Sequence, residues 1–384
     1  MLENIRNFLK NPKGFFIVFA LLFILNSFWE LIPLKQTVFL LISAFLLSLI
    51  LTPSMVEFSR VLGVVDKPDE ERKIHTTSTA LLGGVSVALA FAGAIILSKN
   101  SLPEKFKVLM IAGALIALVG MLDDIFKVPA KIRLLFQFFL SLWVISAGIK
   151  LSLFPKNEIW GEKLNELLTL IWIIGFTNAY NFIDGLDGLA GGIGIIIVMF
   201  CSAISYLNGD TDILLLSMPL SGALLGFLVF NFKKAWIFLG DVGAQFCGFV
   251  ISSISADTSW SSPGNYFKAI TGPMLVLWVL IFDMTQITIL RIKYGFVKSI
   301  ADWISFTGKD HIHHRLLFLL ESDTKAVIAL YIISSVLSLT FIAIDKLSSE
   351  KITWIIADIV IIVFSSIFMI FLDKKTSNKA YGKI

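Results

Sequence analysis

The chain has 384 residues, of which 57% are hydrophobic and only 16% charged, with a formal net charge of +4. Soluble domains average about 45–50% apolar and about 25% charged residues. With 34 Phe against 6 Tyr and a mean hydropathy of +0.85, a soluble globular enzyme, a disordered chain and a fibrous protein are excluded, and a polytopic membrane protein is expected.

A helix that crosses a bilayer needs about 20 mostly apolar residues, because its backbone polar groups must pair within the helix. Such runs fall at 14–32, 36–56, 80–98, 108–122, 134–149, 167–182, 188–206, 213–231, 242–256, 269–290, 326–344 and 352–372. They predict eleven to twelve spanning helices. The runs at 108–122 and 242–256 are short, while 269–290 and 352–372 carry Asp283 and Asp358. None shows the apolar–polar alternation of a membrane β-barrel, so the fold class is all-α. Arg6, Lys10 and Lys13 precede the first run as in a signal peptide. That run ends in Asn26-Ser27-Phe28-Trp29 without a small-x-small cleavage site, so a retained helix is expected. Cys201 and Cys247 both fall in apolar runs, which argues against a disulfide framework. No linker or low-complexity tract interrupts the chain, so a single membrane domain over 1–384 is expected.

Basic residues orient the chain. If residue 1 lies inside and every run crosses, the inside segments hold 22 of the 32 Lys and Arg, as expected of cytoplasmic loops. The net charge therefore reads as topology. No basic stretch has aromatic interleaving, and no nucleic-acid partner is expected. All four histidines and the acids Asp123, Asp124, Asp184, Asp187 and Asp241 fall in the same inside segments. One polar site at the cytoplasmic membrane face is expected.

Five clusters carry the chemistry. Glu71-Arg72-Lys73-Ile74-His75 precedes the pair Gly83-Gly84; it reads either as a phosphate-facing loop or as topogenic charge. Asp123-Asp124 with Lys127 follows the fourth run. Adjacent carboxylates repel and either bind a cation or share a proton. A helical turn would bring Lys127 alongside either, although a solvated helix end reads the same way. Asn178-x-x-Asn181-Phe-Ile-Asp184-Gly-Leu-Asp187-Gly-Leu-Ala places four polar groups at regular spacing between two apolar runs. Amide and carboxylate oxygens are the donors that Mg²⁺ or Mn²⁺ selects. Gly240-Asp241-Val242-Gly243-Ala244 opens another apolar run, where Asp241 reads as a metal ligand or as a helix cap. Lys309-Asp310-His311-Ile312-His313-His314-Arg315 gathers imidazoles and cations in the longest inside loop. Zn²⁺ would lack a cysteine partner there, and charge-assisted bonds to phosphoryl oxygens are the simpler use. Together these clusters suit an anionic, phosphorylated substrate beside a divalent ion, with a lipid as one reactant.

The motifs Asp123-Asp124, Asn178 to Ala190, Gly240 to Ala244 and His311 to Arg315 resemble those of the polyprenyl-phosphate N-acetylhexosamine-1-phosphate transferases. With their intervening runs they cover about residues 36–345. The resemblance implies a catalytic core there, with 14–32 and 352–372 as added terminal helices. It implies transfer of a sugar-1-phosphate from a UDP-N-acetylhexosamine to polyprenyl (undecaprenyl) phosphate, with release of UMP and a requirement for Mg²⁺ or Mn²⁺. The product would start a lipid-linked envelope glycan such as O-antigen or teichoic acid. The implied location is the bacterial cytoplasmic (inner) membrane, and a homodimer is left open. The His-Ile-His-His-Arg form resembles the branch that uses UDP-N-acetylglucosamine rather than the phospho-muramoyl-pentapeptide branch. Ser78, Ala80 and Leu81 stand where the family commonly has prolines and a basic residue.

Carried over residue by residue, Asn181 and Asp241 would ligate the metal with Asp184 near it. Asp123 or Asp124 would deprotonate or orient the lipid phosphate, and Asp187 and His311 would complete the catalytic group. Lys127, Arg133, Asn178, His313, His314 and Arg315, with Arg72, Lys73 and His75, would contact substrate. A secondary transporter would place its acids near mid-bilayer. An intramembrane prenyltransferase would lack the His-x-His-His-Arg element.

Overall fold

The computed structural model describes residues 2–11, 14, 17–22, 36–66, 78–98, 101–155, 158–261, 265–299, 302, 306, 308–347 and 350–381. Arg72, Lys73 and His75, and most of the run 14–32, lie outside these residues. The chain divides into two compact units, 1–259 and 260–384.

The first unit holds α1 (Leu2–Lys10), α2 (Gln36–Val61), α3 (Gly83–Leu97), α4 (Glu104–Phe126), α5 (Ala130–Ser146), α6 (Ile159–Ile183), α7 (Leu189–Leu207), α8 (Leu214–Asn231) and α9 (Gly240–Asp257). A two-residue antiparallel ladder, β1 (Val65–Asp66) with β2 (Thr79–Ala80), joins α2 to α3. Ala80 also bridges Ile237 in parallel. Thus part of the 78–81 stretch, which departs from the family pattern, ties the α2–α3 connection to the segment that leads into α9.

Helix α9 forms the centre, packed by α3, α4, α6 and α7. Every residue from Val242 to Ala256 is buried. Glycines permit the approach. A methyl placed on Gly84 would sit 2.1 Å from N and Cα of Gly243, and one on Gly120 would sit 2.6 Å from the Asp241 carbonyl. Backbone therefore meets backbone where α3 and α4 cross the first turn of α9, the use small residues commonly serve between membrane helices.

The second unit holds α10 (Tyr266–Val276), α11 (Trp278–Lys293), α12 (Ile312–Leu320), α13 (Asp323–Leu347) and α14 (Lys351–Tyr381). The axis turns by 82° between α10 and α11. Trp278 stacks on Phe282 at 4.5 Å and meets Phe364 and Phe368 of α14. The opposite face of α14 exposes Ile352, Ile356, Ile359, Val363 and Ile367, as a lipid-facing helix should.

The structure is an all-α, multi-pass membrane protein. Among the described residues, seven helices are long and apolar enough to cross a bilayer, or eight if the bent pair is one span. Of the eleven or twelve expected, the run 14–32 lies mostly outside the described residues, and three others fold as helices that are shorter or less apolar. The runs 80–98 and 134–149 fold as helices of 15 and 17 residues, about 22–26 Å long against a hydrocarbon core of about 30 Å. The run 242–256 becomes α9, whose Gln245, Ser252, Ser253 and Ser255 dilute its apolar character.

Candidate active site

The acids of the first unit meet where helix ends converge. Helix α4 carries Asp123-Asp124 in its last turn and ends at Phe126 because Lys127 adopts a left-handed conformation (φ 57°), its N–H donating to the Asp123 carbonyl at 2.9 Å. Pro129, two residues on, disfavours further helix before α5 begins. Lys127 is therefore the terminator of α4 rather than a member of its last turn.

Asp124 is buried, and its two oxygens accept the N–H groups of Asp241 and Val242, each at 3.0 Å. It caps α9 from another helix, satisfying donors that a helix start leaves orphaned. Gly240, at φ +71°, lets the chain enter this cap; a side chain there would meet the Leu81 carbonyl and the Asp124 carboxylate. With the capping task met by Asp124, the Asp241 carboxylate is directed elsewhere.

That carboxylate meets Arg133, on the first turn of α5. The guanidinium donates to Asp123 and, at 3.3 Å, to Asp241 Oδ1. Asn181 donates its amide to the same Asp241 oxygen at 3.1 Å. Asp184, just beyond α6, has its carboxyl pushed up to about 7, by enclosure and then by the negative charges of Asp241, Asp124 and Asp187. Sequence positions 123, 133, 181 and 241 thus share one hydrogen-bonded cluster, with Asp124 beneath it and Asp184 in its field.

Two expected site residues are engaged in holding the scaffold. Asn178 donates to Gln137 Oε1 at 2.7 Å and to the Ile174 carbonyl at 2.8 Å, tying α6 to α5. Asp187 Oδ2 accepts the Ala235 N–H at 2.9 Å. Beside it, Asn231 accepts from Gly188 N–H and donates to the Ile237 carbonyl, both at 2.9 Å. Gln137 and Asn231 were missed in the sequence. The available signal was a carboxamide inside an apolar run, which must find a partner.

The histidine cluster belongs to the second unit. Asp283 caps α12, accepting the Ile312 N–H, and pairs with His311 Nδ1, both at 2.6 Å. Arg291 grips Asp310 through two bonds of 2.7 and 2.8 Å. Burial raises the Asp310 carboxyl, but this pairing outweighs it and holds the group below the usual carboxylate range. Arg315 has no exposed surface; it donates to the Asp310 carbonyl at 2.8 Å and to Thr376 Oγ1 at 2.9 Å. His313 is 1% exposed and neither ring nitrogen has a hydrogen-bond partner in the described residues. Burial, then His314 and His311, drives it well below its ordinary value. His314 is brought to about 4 by burial, then by His311 and Lys309. These two imidazoles are neutral at physiological pH, so they offer one N–H and one lone pair each, not a cation.

The donor set of the first unit suits a hard divalent cation. Asp123 and Asp241 share the Arg133 guanidinium, the Asn181 amide sits on Asp241, Asp124 accepts the Asp241 N–H beneath them, and Asp184 lies in their field. Oxygen donors without thiol or imidazole favour Mg²⁺ or Mn²⁺. Among the described residues no three His, Cys, Asp or Glu side chains already converge as a metal cage; Arg133 bridges Asp123 and Asp241 instead.

This centre lies within residues 106–259, the stretch matched by the family model for glycosyl transferase family 4. A Bacillus subtilis protein named "Probable undecaprenyl-phosphate N-acetylglucosaminyl 1-phosphate transferase" is 31% identical over 321 residues, covering 82% of this chain and 87% of its own length. The chain belongs to this family, the polyprenyl-phosphate N-acetylhexosamine-1-phosphate transferases. Another family member, the decaprenyl-phosphate N-acetylglucosaminephosphotransferase of Mycobacterium tuberculosis, is 29% identical over 78% of this chain and 80% of its own. A phospho-N-acetylmuramoyl-pentapeptide-transferase of Streptococcus pneumoniae is 32% identical over 56% of this chain and 71% of its own.

Proposed function

We propose that this protein transfers N-acetylglucosamine-1-phosphate from UDP-N-acetylglucosamine to a polyprenyl phosphate such as undecaprenyl phosphate, with Mg²⁺ or Mn²⁺, at the cytoplasmic face of a bacterial inner membrane. The observation that carries this reading is that Arg133 joins Asp123 to Asp241, whose carboxylate also accepts the Asn181 amide. The choice of donor is supported by extent of alignment. Relatives named for N-acetylglucosamine phosphate transfer align over 82% and 78% of this chain, against 56% for the muramoyl-pentapeptide enzyme. The side of the membrane follows from the excess of basic residues, 22 of 32, that falls on one side when all twelve apolar runs cross.

An oxygen of the lipid phosphate attacks the sugar-bearing phosphorus, a new P–O bond forms, and the bond from that phosphorus to the UMP oxygen breaks. Phosphoryl transfer of this kind needs positioning and charge neutralisation above all. Asp123, at the end of α4, accepts the proton of the lipid phosphate or orients it. Arg133 turns from the carboxylates to phosphoryl oxygens as substrate enters. Asp241 and Asn181, with Asp184, would hold the divalent ion, which supplies neutralisation of charge on the diphosphate and the leaving UMP. Asp124 keeps Asp241 at its post by fixing the backbone beneath it.

Purified protein given undecaprenyl phosphate, Mg²⁺ and a panel of UDP-sugars should release UMP with UDP-N-acetylglucosamine. Asp241→Asn should lose nearly all of that activity while remaining folded and membrane-inserted. UMP release by the variant at the wild-type rate in saturating Mg²⁺ would overturn the ligand role. Release only with a UDP-muramoyl-pentapeptide would move the protein to the other branch.

A further inference from the structure

We infer that Arg6, on the amphipathic helix α1, is a positioning residue that sets the turn from which the Asp184–Asp187 loop and Asp241 are hung; this rests on the proposed transferase reading. Arg6 is 3% exposed. Its guanidinium donates to three main-chain carbonyls more than two hundred residues away: Val229 at 2.7 Å, Phe232 at 2.7 Å and Lys234 at 3.0 Å. It also lies 5.4 Å over the Trp236 ring. Carbonyls at a helix C-terminus are orphaned acceptors at the negative end of the dipole, so a cation has reason to settle at the end of α8.

The geometry around these carbonyls gives the contact its further meaning. Between Phe232 and Lys234 the chain takes two successive left-handed residues, Lys233 (φ 49°) and Lys234 (φ 60°). Non-glycine residues rarely hold that conformation, and it persists only where the surroundings over-determine it. The Arg6 fork clasps both sides of this turn. Immediately after it, Ala235 N–H donates to Asp187. On one side, Asn231 bridges Gly188 and Ile237. On the other, Phe238 N–H donates to the Ala80 carbonyl at 2.8 Å, and the Phe238 and Leu239 carbonyls accept from Gly83 and Gly84 at 3.0 and 2.8 Å. Gly240 and Asp241 follow. The charge of Asp187 also acts on Arg6. A planar guanidinium with divergent N–H groups suits three acceptors in this arrangement; a Lys ammonium does not reproduce it.

The test compares Arg6→Ala, Arg6→Lys and, as a control on the same helix, Lys10→Ala, whose ion pair with Glu57 (2.7 Å) is exposed. Readouts are kcat and KM for UDP-N-acetylglucosamine, melting temperature, and hydrogen exchange of amides 231–241. Arg6→Ala should lower kcat about 10- to 100-fold, as remote misplacement does, with little change in KM and by more than its fall in melting temperature accounts for. Amides 231–241 should exchange faster, and added guanidinium ion should restore part of kcat. Arg6→Lys should be intermediate, and it carries the test if Arg6→Ala does not fold. Lys10→Ala should match wild type. Unchanged kcat in Arg6→Ala, or losses in both Arg6 variants that follow melting temperature and resist guanidinium, would overturn the proposal. If wild type releases no UMP from any UDP-sugar, the transferase reading fails instead. The exchange data then still report whether Arg6 holds the turn.

Discussion

The Asp124 carboxylate accepts the Asp241 N–H at 3.0 Å, with Val242 N–H on its second oxygen at the same distance. Neighbours in sequence therefore have different tasks. Asp124 fastens the start of α9, whereas Asp123, buried as well, accepts from the Arg133 side chain. Asp124→Asn presents an NH₂ to one of two N–H donors, leaving a buried donor unsatisfied at about 1–3 kcal/mol. It should lose both activity and several degrees of melting temperature. Asp123→Asn should lose activity at nearly unchanged melting temperature. Parallel UMP-release and thermal-unfolding assays check this, and equal melting losses in the two variants would contradict the division of labour.

Gly84→Ala and Gly175→Ala make a matched pair. The first places a methyl 2.1 Å from Gly243 backbone atoms, whereas nothing lies within 4 Å of the second. Main chain cannot yield as a side-chain tip does, so Gly84→Ala should cost about 1–3 kcal/mol or more and reduce the folded yield. Gly175→Ala, in the exposed part of α6, should be neutral or stabilising by up to about 1 kcal/mol. Size-exclusion profiles and melting curves of both variants would settle the comparison.

Acid should loosen the second unit. Free imidazole ionises near 6.5, while burial brings His314 in the fold to about 4 and drives His313 well below its ordinary value. Between those values the unfolded chain binds protons that the folded unit refuses. Stability therefore rises with pH across that window and is lost on acidification from about 6.5 towards 4. Melting temperatures from pH 7.5 to 4.5 should fall, and His314→Gln should flatten the slope. A wild-type slope no steeper than that of His314→Gln would refute the assignment.

Thr376→Val removes one acceptor of a fully buried guanidinium, that of Arg315, which keeps the Asp310 carbonyl and lies 4.0 Å from Asp373. Losing one charge-assisted bond in a buried place should cost about 1–3 kcal/mol. Thr376→Ser keeps the hydroxyl and should behave as wild type. Circular-dichroism melts in one detergent would show the difference. Comparable melts for Val and Ser would mean that the contact contributes nothing.

Much of this was legible in the sequence, because apolar runs and their interruptions are local signals. The acids at 123, 184 and 241 each stand where such a run meets glycine or a helix end, and the fold gathers those ends in the first unit. Other features depend on contacts that no spacing encodes. Asp124 pairs with backbone, which has no residue letter. Lys127 was expected within a helical turn, but the helix stops at it. The burial of Arg315, whose Nε and Nη1 donate to the Asp310 carbonyl and Thr376, cannot be read from a row of cations. The burial of the run 242–256 among other helices was not legible from its apolar letters, because lipid and protein surroundings both accept Val, Ile and Phe. Its serines and Gln245 distinguish the two.

Helix α9 has a consequence for biogenesis. Wrapped by α3, α4, α6 and α7, with Gln245 and three serines among its buried residues, it has little reason to leave a translocation channel for lipid on its own. The ribosome delivers it only after those partners. Its entry is then a docking event onto earlier helices, and damage to one of them would surface as failed insertion of a segment far downstream.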